Sequence, residues 1–145
     1  MSSNVSRTAV RTILAIEQEE GVGAKVRRSI GSMRLRHFTP FLMLDHFSAT
    51  PGAGFSKHPH RGQATLTYAL QGSALHEDST GRSGKLNEGG AQYMTAGRGV
   101  LHAEVPITEE GQPMPIGLQL WIDLPKEHKM VEPSYQEMEP HEIPR

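Results

Sequence analysis

"IGLQLWIDL" (116–124) alternates side-chain character along its whole length. Ile116, Leu118, Leu120, Ile122 and Leu124 fall on one face, and Gly117, Gln119, Trp121 and Asp123 fall on the other. A period of two marks a β-strand with one face in a core. "TLTYAL" (65–70) repeats it, with Leu66, Tyr68 and Leu70 set against Thr65, Thr67 and Ala69. "TILAI" (12–16), "AKVRRSI" (24–30), "FLMLDHF" (41–47) and "AQYMT" (91–95) have similar strand character. The chain has 145 residues, of which 15 are Gly and 10 are Pro, and these punctuate it at short intervals. No segment carries a helical apolar stripe with caps; "EQEEG" (17–21) reads as a helical turn or a loop between strands. Many short strands with regular turn signals predict an all-β sandwich or barrel. "EPSYQEMEPHEIPR" (132–145) lacks apolar alternation and reads as an extended tail or linker, which leaves one domain over residues 1–131.

Composition removes several function classes. The formal net charge is −1, so no global basic field exists to hold a phosphate backbone, and no direct nucleic-acid partner is expected. The basic residues of "KVRRSIGSMRLR" (25–36) interrupt apolar ones and read as a solvated strand-and-turn face. There is no cysteine, which excludes disulfides, thiolate zinc sites and cysteine-bound iron–sulfur clusters. The N-terminal stretch has no long apolar run, and no segment approaches the ~18 apolar residues of a membrane span. The expected setting is soluble and intracellular, with no membrane partner.

"FSKHPHRG" (55–62) places His58 and His60 two residues apart around a proline. On a strand, residues i and i+2 share a face, and Pro59 favours extension of the residue before it. "LHAEVP" (101–106) repeats the spacing with His102 and Glu104. Two such pairs on separate barrel strands can face each other across the interior. They would present three imidazole nitrogens and one carboxylate, a set suited to a first-row transition metal and too nitrogen-rich for Ca²⁺ or Mg²⁺. A ligating imidazole needs its other nitrogen held, and backbone carbonyls and Gln63 are the candidates nearby. His76 in "LHEDSTG" sits beside Glu77 and Asp78 and reads as part of a strand-end hydrogen-bond network; His46 reads as a turn or surface residue. His37, His128 and His141 lie in polar, exposed-looking segments. "STGRSGK" (79–85) fails as a phosphate loop, because Ser79 stands at the first glycine and Leu86 follows the lysine. Met94 and the apolar residues of "FLMLDHF" read as core.

"FLMLDHF", "GFSKHPHRG", "LHEDSTGRSGKLN", "YMTAGRGVLHAEVP", "GLQLWIDL" and "MVEPSYQE" follow one another in the order and spacing of the N-terminal domain of the pirin family, within the cupin superfamily. The resemblance runs from about Val22 to the end of the chain. It implies a cupin jelly-roll barrel of two antiparallel sheets, with the family's second cupin domain absent from this chain. It also implies one metal per chain, Fe(II)/Fe(III) or another divalent transition metal, on His58, His60, His102 and Glu104. Pirins resemble enzymes that open the flavonol quercetin with O₂, with loss of carbon monoxide. Glu104 would then be the general base, and the partner a flavonol-like small molecule. The alternatives are a non-enzymatic, iron-dependent transcription coregulator whose partner is a protein, or a truncated homologue without activity. The family setting implies the cytoplasm, the nucleus or both. Ala64 stands where the family's "HPHRGxET" carries an acid, and Gly90 and Tyr93 replace a more usual Gly-Asp turn and Trp.

Overall fold

The structure is a computed structural model that describes residues 8–108, 111 and 114–144. Its strands are β1 (Glu17–Glu20), β2 (Val22–Arg28), β3 (Phe41–His60), β4 (Gln63–Gln71), β5 (Ala74–Asp78), β6 (Ser83–Leu86), β7 (Ala91–Thr95), β8 (Val100–Pro106), β9 (Ile116–Asp123) and β10 (Ser134–Met138). The described residues hold one short 3₁₀ turn, Lys126–His128. The strands run in the order β10-β7-β4-β9-β3-β8-β5-β6, with β2 added on β3 and β1 on β2, and every pairing is antiparallel. The result is a nearly closed all-β barrel of two sheets, the cupin jelly roll.

β3 joins the two sheets. Over Phe41–Ser48 it pairs with β9, and over Phe55–His60 with β8. A register shift between Phe55 and His58 sets one extra β3 residue against β8. Such a bulge increases local twist and re-aims the side chains after it. Here it puts His58 directly opposite His102.

The alternation holds, but the apolar face is turned outward. On β4 and β7 the buried parity is Thr65, Thr67, Ala69, Gln92 and Met94; Leu66, Tyr68 and Tyr93 are half-buried and Leu70 is 43% exposed. Gln119 of β9 bonds to interior groups, so Leu118 and Leu120 point the other way. These outward residues pair across strands, Leu66 with Leu120 and Tyr93, Tyr68 with Leu118, and Leu120 with Leu44. Such cross-strand apolar pairs stabilise a sheet without a shared core. The fully buried apolar cluster is small: Met94, Ala96 and Val100, with Tyr135 against it.

Three other readings change. "TILAI" (12–16) forms no strand. Its partner in strand pairing is taken by "EQEE" (17–20), which is β1: Glu17 faces Arg27 and lies within ion-pair range of Lys25 and Arg27, so charge pairing supplies what apolar periodicity would have supplied. Within 132–145, Ser134–Met138 is β10, hydrogen-bonded along β7 from Ser134–Thr95 to Met138–Ala91.

The glycine of "TAGRG" shows how the end of the barrel is closed. Gly97 has φ +50°, and a Cβ there would run into the backbone carbonyl of Val131. The same carbonyl accepts from Arg98 N at 2.9 Å, and Gly97 O accepts from Gly62 N at 2.7 Å. Gly97→Ala therefore combines left-handed strain with a backbone clash, and we expect a loss of more than about 2 kcal/mol. Gly81→Ala, also at positive φ but with nothing near its Cβ, is expected to cost about 1 kcal/mol. Urea unfolding of both variants checks this; equal losses would mean the contact with Val131 carries no weight.

Candidate metal centre

The bulge in β3 and the register with β8 bring three imidazoles together. Their ring centroids are 4.8 Å apart for His58 and His60, 4.5 Å for His58 and His102, and 4.7 Å for His60 and His102. One nitrogen from each lies within 4.8 Å of the others. His60 and His102 are 5% and 1% exposed, so this is an interior cluster and not a surface accident.

The hydrogen bonds decide where the ring protons sit. His58 Nδ1 is 2.8 Å from the Ser56 carbonyl, which can only accept, so Nδ1 carries the proton and Nε2 of the neutral ring is a bare lone pair. That lone pair faces His102 Nε2 at 3.0 Å. The two nitrogens are close enough to share one proton or one cation, and His102 Nδ1 is buried with no partner among the described residues. His60 Nδ1 is held by the Gln63 amide at 2.8 Å. A backbone carbonyl and Gln63, the two candidates read from sequence, each hold one ring. Burial, and then the neighbouring imidazoles His102 and His58, lower His60 to about 3. Burial, then His58 and His76, lower His102 to about 4, against a smaller opposing effect of Asp78. Neutral nitrogens that converge in a desolvated space are the form a transition metal requires. The donor set fits such a cation.

Glu104 is not part of this cluster. Its carboxylate accepts from Gln119 Nε2 at 3.4 and 3.2 Å, and burial raises its pKa despite that bond. Gln119 Oε1 accepts from Trp121 Nε1 at 3.0 Å, and the Trp121 ring meets His60 edge-on at 5.0 Å. Gln119 and Trp121 lie on the face of β9 that the sequence set aside as non-core. The available signal was two hydrogen-bonding side chains at i and i+2, next to a glycine, on a strand whose other face is wholly aliphatic. Glu104, Gln119, Thr67, Phe47 and Phe55 line an interior cleft that continues past Ala69 to Pro106 and Pro115.

His76 faces Glu104 across the β5–β8 ladder but turns to β10, where Nε2 lies 2.6 Å from Glu137 Oε1 without the alignment of a directed hydrogen bond. It stacks on Tyr135 at 5.7 Å. Ala64 has the parity of Leu66 and Tyr68, so it lies on the side of β4 away from the imidazoles. His46 has the outward parity of Leu44, opposite Leu118. His37, His128 and His141 are exposed. No helix among the described residues is long and apolar enough to cross a membrane.

The sequence pattern of the family Pirin matches residues 23–122. Human Pirin is 50% identical over 141 residues, which is 97% of this chain and 48% of that protein. A crystal structure of quercetin 2,3-dioxygenase from Acinetobacter baumannii superposes with a TM-score of 0.74 at 33% identity, covering 90% of this chain and 49% of that one. The bacterial pirin YhhW from Escherichia coli, in complex with nickel(II), gives 0.72 at 25% identity, covering 85% of this chain and 53% of that one. The chain spans about half the length of the curated relatives it matches.

The low pKa values have a consequence for stability. In the unfolded chain both histidines bind protons near 6.5; in the folded chain they do so only near 3 and 4. The unfolded state therefore binds more protons throughout that window, and stability rises with pH across it. The metal-free protein is expected to lose stability as pH falls from about 6.5 to about 4. His60→Gln should flatten that slope. An unchanged slope in urea midpoints measured across this range would contradict the buried, neutral state assigned to His60.

Proposed function

The chain belongs to the pirin family, and on that footing we propose that it is a metal-binding cupin that carries out O₂-dependent ring opening of a flavonol of the quercetin type. The observation that carries this reading is the convergence of three imidazoles, His60 and His102 buried and His58 half-buried, near a carboxylate that lines an apolar-walled cleft. His58, His60 and His102 would hold the metal, with Glu104 as the fourth protein group within reach of the same space. When bound, the metal supplies Lewis-acid polarisation of a substrate oxygen and, as iron, one-electron chemistry toward O₂.

The chain's own residues supply the rest. Ser56 O and Gln63 fix the orientation of His58 and His60, so no ordering of these rings is needed when the cation enters. Glu104 is the general base for the acidic enol hydroxyl of the substrate. Its carboxylate lines the cleft and is oriented by Gln119, so it can meet that proton. Phe47, Phe55 and Ala69 give the cleft apolar walls, the lining expected where an aromatic substrate enters. A. baumannii quercetin 2,3-dioxygenase has the same fold at 33% identity, and this supports the substrate class.

Elemental analysis of purified chains is the first test. About one metal per chain is expected in the wild type and in His76→Ala, because His76 engages Glu137 and not the triad. None is expected in His58→Ala or His102→Ala. Retention of metal by both of those variants would overturn the site. With loaded protein, quercetin-dependent O₂ uptake should fall about 10²- to 10⁴-fold in Glu104→Gln. Full metal loading without any O₂ uptake in the wild type would overturn the enzymatic reading and leave a metal-dependent binding module.

A further inference from the structure

We infer that Gln119, fixed by the indole of Trp121, is a positioning residue that draws the Glu104 carboxylate away from the three histidines, so that the fourth protein ligand of the metal centre is under the control of β9. The inference rests on the reading of the triad as a metal centre.

The direction of the Gln119 amide is settled by chemistry. The Trp121 Nε1–H can only donate. It lies 3.0 Å from Gln119 Oε1, so the amide oxygen is committed to Trp121. The amide nitrogen must then point the other way, and it reaches both Glu104 oxygens, at 3.4 and 3.2 Å, with Thr67 Oγ1 at 3.4 Å. A flipped amide would set its N–H₂ against the indole N–H and its oxygen against the carboxylate, a loss at both ends. Swinging Trp121 away to permit the flip would also break its edge-on contact with His60 at 5.0 Å. The chain His60–Trp121–Gln119–Glu104 thus links one ring of the triad on β3 to the carboxylate on β8 through two side chains on one face of β9.

Glu104 follows His102 by two residues on β8 and shares its inward parity. Yet the three imidazole nitrogens cluster within 4.8 Å and Glu104 is outside the group. Rotating Glu104 toward the triad would forfeit the bonds from Gln119. The amide and the cation therefore compete for one carboxylate. A residue that instead braced Glu104 on the metal would strengthen binding, and its removal would weaken it, typically by about 10- to 100-fold. The two roles predict opposite signs.

The test titrates Ni(II), a redox-stable probe, and reads binding from the fluorescence of Trp121, the only tryptophan of the chain. Calorimetry follows the variants that alter Trp121. In Gln119→Leu, nearly equal in volume, the affinity is expected to rise about five- to tenfold, the scale of one or two ordinary hydrogen bonds released from competition. In Trp121→Phe, which keeps a ring against His60 but frees the amide, it should rise about two- to threefold. In a Glu104→Ala background, Gln119→Leu should change affinity by less than about twofold, a result a general structural role would not give. Unchanged or weaker Ni(II) binding in Gln119→Leu, with wild-type binding intact and abolished in His58→Ala, would overturn the clamp alone. Wild-type protein that binds no Ni(II) would overturn the metal-centre reading and this inference with it.

Discussion

Strand β3 runs for 20 residues and belongs to both sheets, so its register fixes what the barrel interior contains. At one end it is held by β9 and β2, at the other by β8. A strand flips every side chain if its pairing slips by one residue. The bulge between Phe55 and His58 absorbs one residue between these two sets of partners. Without it, either the first half of β3 would be out of step with β9, or His58 would lose its place opposite His102. The histidine cluster is thus a product of long-range pairing, and the proline of "HPH" only keeps the strand extended while that pairing acts.

Three converging imidazoles, two of them buried, are an unusual filling for a small barrel. Little offsets their charge if they gain protons, since Glu104 is engaged by Gln119, and Asp78, which caps its own turn through Thr80 and Arg82, opposes the shift of His102 only weakly. The field of the cluster therefore works with burial to keep His60 and His102 unprotonated. The same arrangement leaves His102 Nδ1 without a partner among the described residues and sets His58 Nε2 3.0 Å from His102 Nε2. A divalent cation would relieve the repulsion among converging lone pairs. Binding energy of this kind adds to the stability of whichever state holds the ligands together, so metal content and fold stability are coupled in this domain.

How much of this was legible in the sequence depended on whether the signal was local. Strand spacing places His58 with His60 and His102 with Glu104 from neighbours alone, and AQYMT (91–95) has the bounds of β7. Which face of each strand points inward is not local. The aliphatic face of β9 reads as core by every rule of burial, but the barrel interior is committed to Thr65, Thr67, Gln92, Gln119 and the histidines, so the leucines are displaced to the outside. β1 carries no apolar period for sequence to show, because it is held by Lys and Arg partners. β10 looks like a tail in sequence for a related reason: Tyr135 and Glu137 meet His76 of β5, a strand that β10 does not pair with, and this relation exists only once the barrel closes.

The displaced leucines and the Gln119 clamp are two results of one allocation. A strand offers two faces, and on β9 the inner one carries Gly117, Gln119 and Trp121. Gly117 leaves room for the Phe47 ring, which a Cβ would meet at 2.5 Å. Gln119 and Trp121 then bring hydrogen-bonding groups to Glu104 and an aromatic edge to His60. Gly117, Gln119 and Trp121 each answer a residue of β3 or β8 that shapes the cleft or the histidine cluster, while Asp123 at the strand end pairs with Lys129. An aliphatic side chain at Gln119 would pack as well against its neighbours but would leave Glu104 and Trp121 Nε1 unpaired in a desolvated space, at a cost in stability. The alternation that identifies the fold thus also records which face was given to chemistry, and on this strand it is the face with fewer apolar residues.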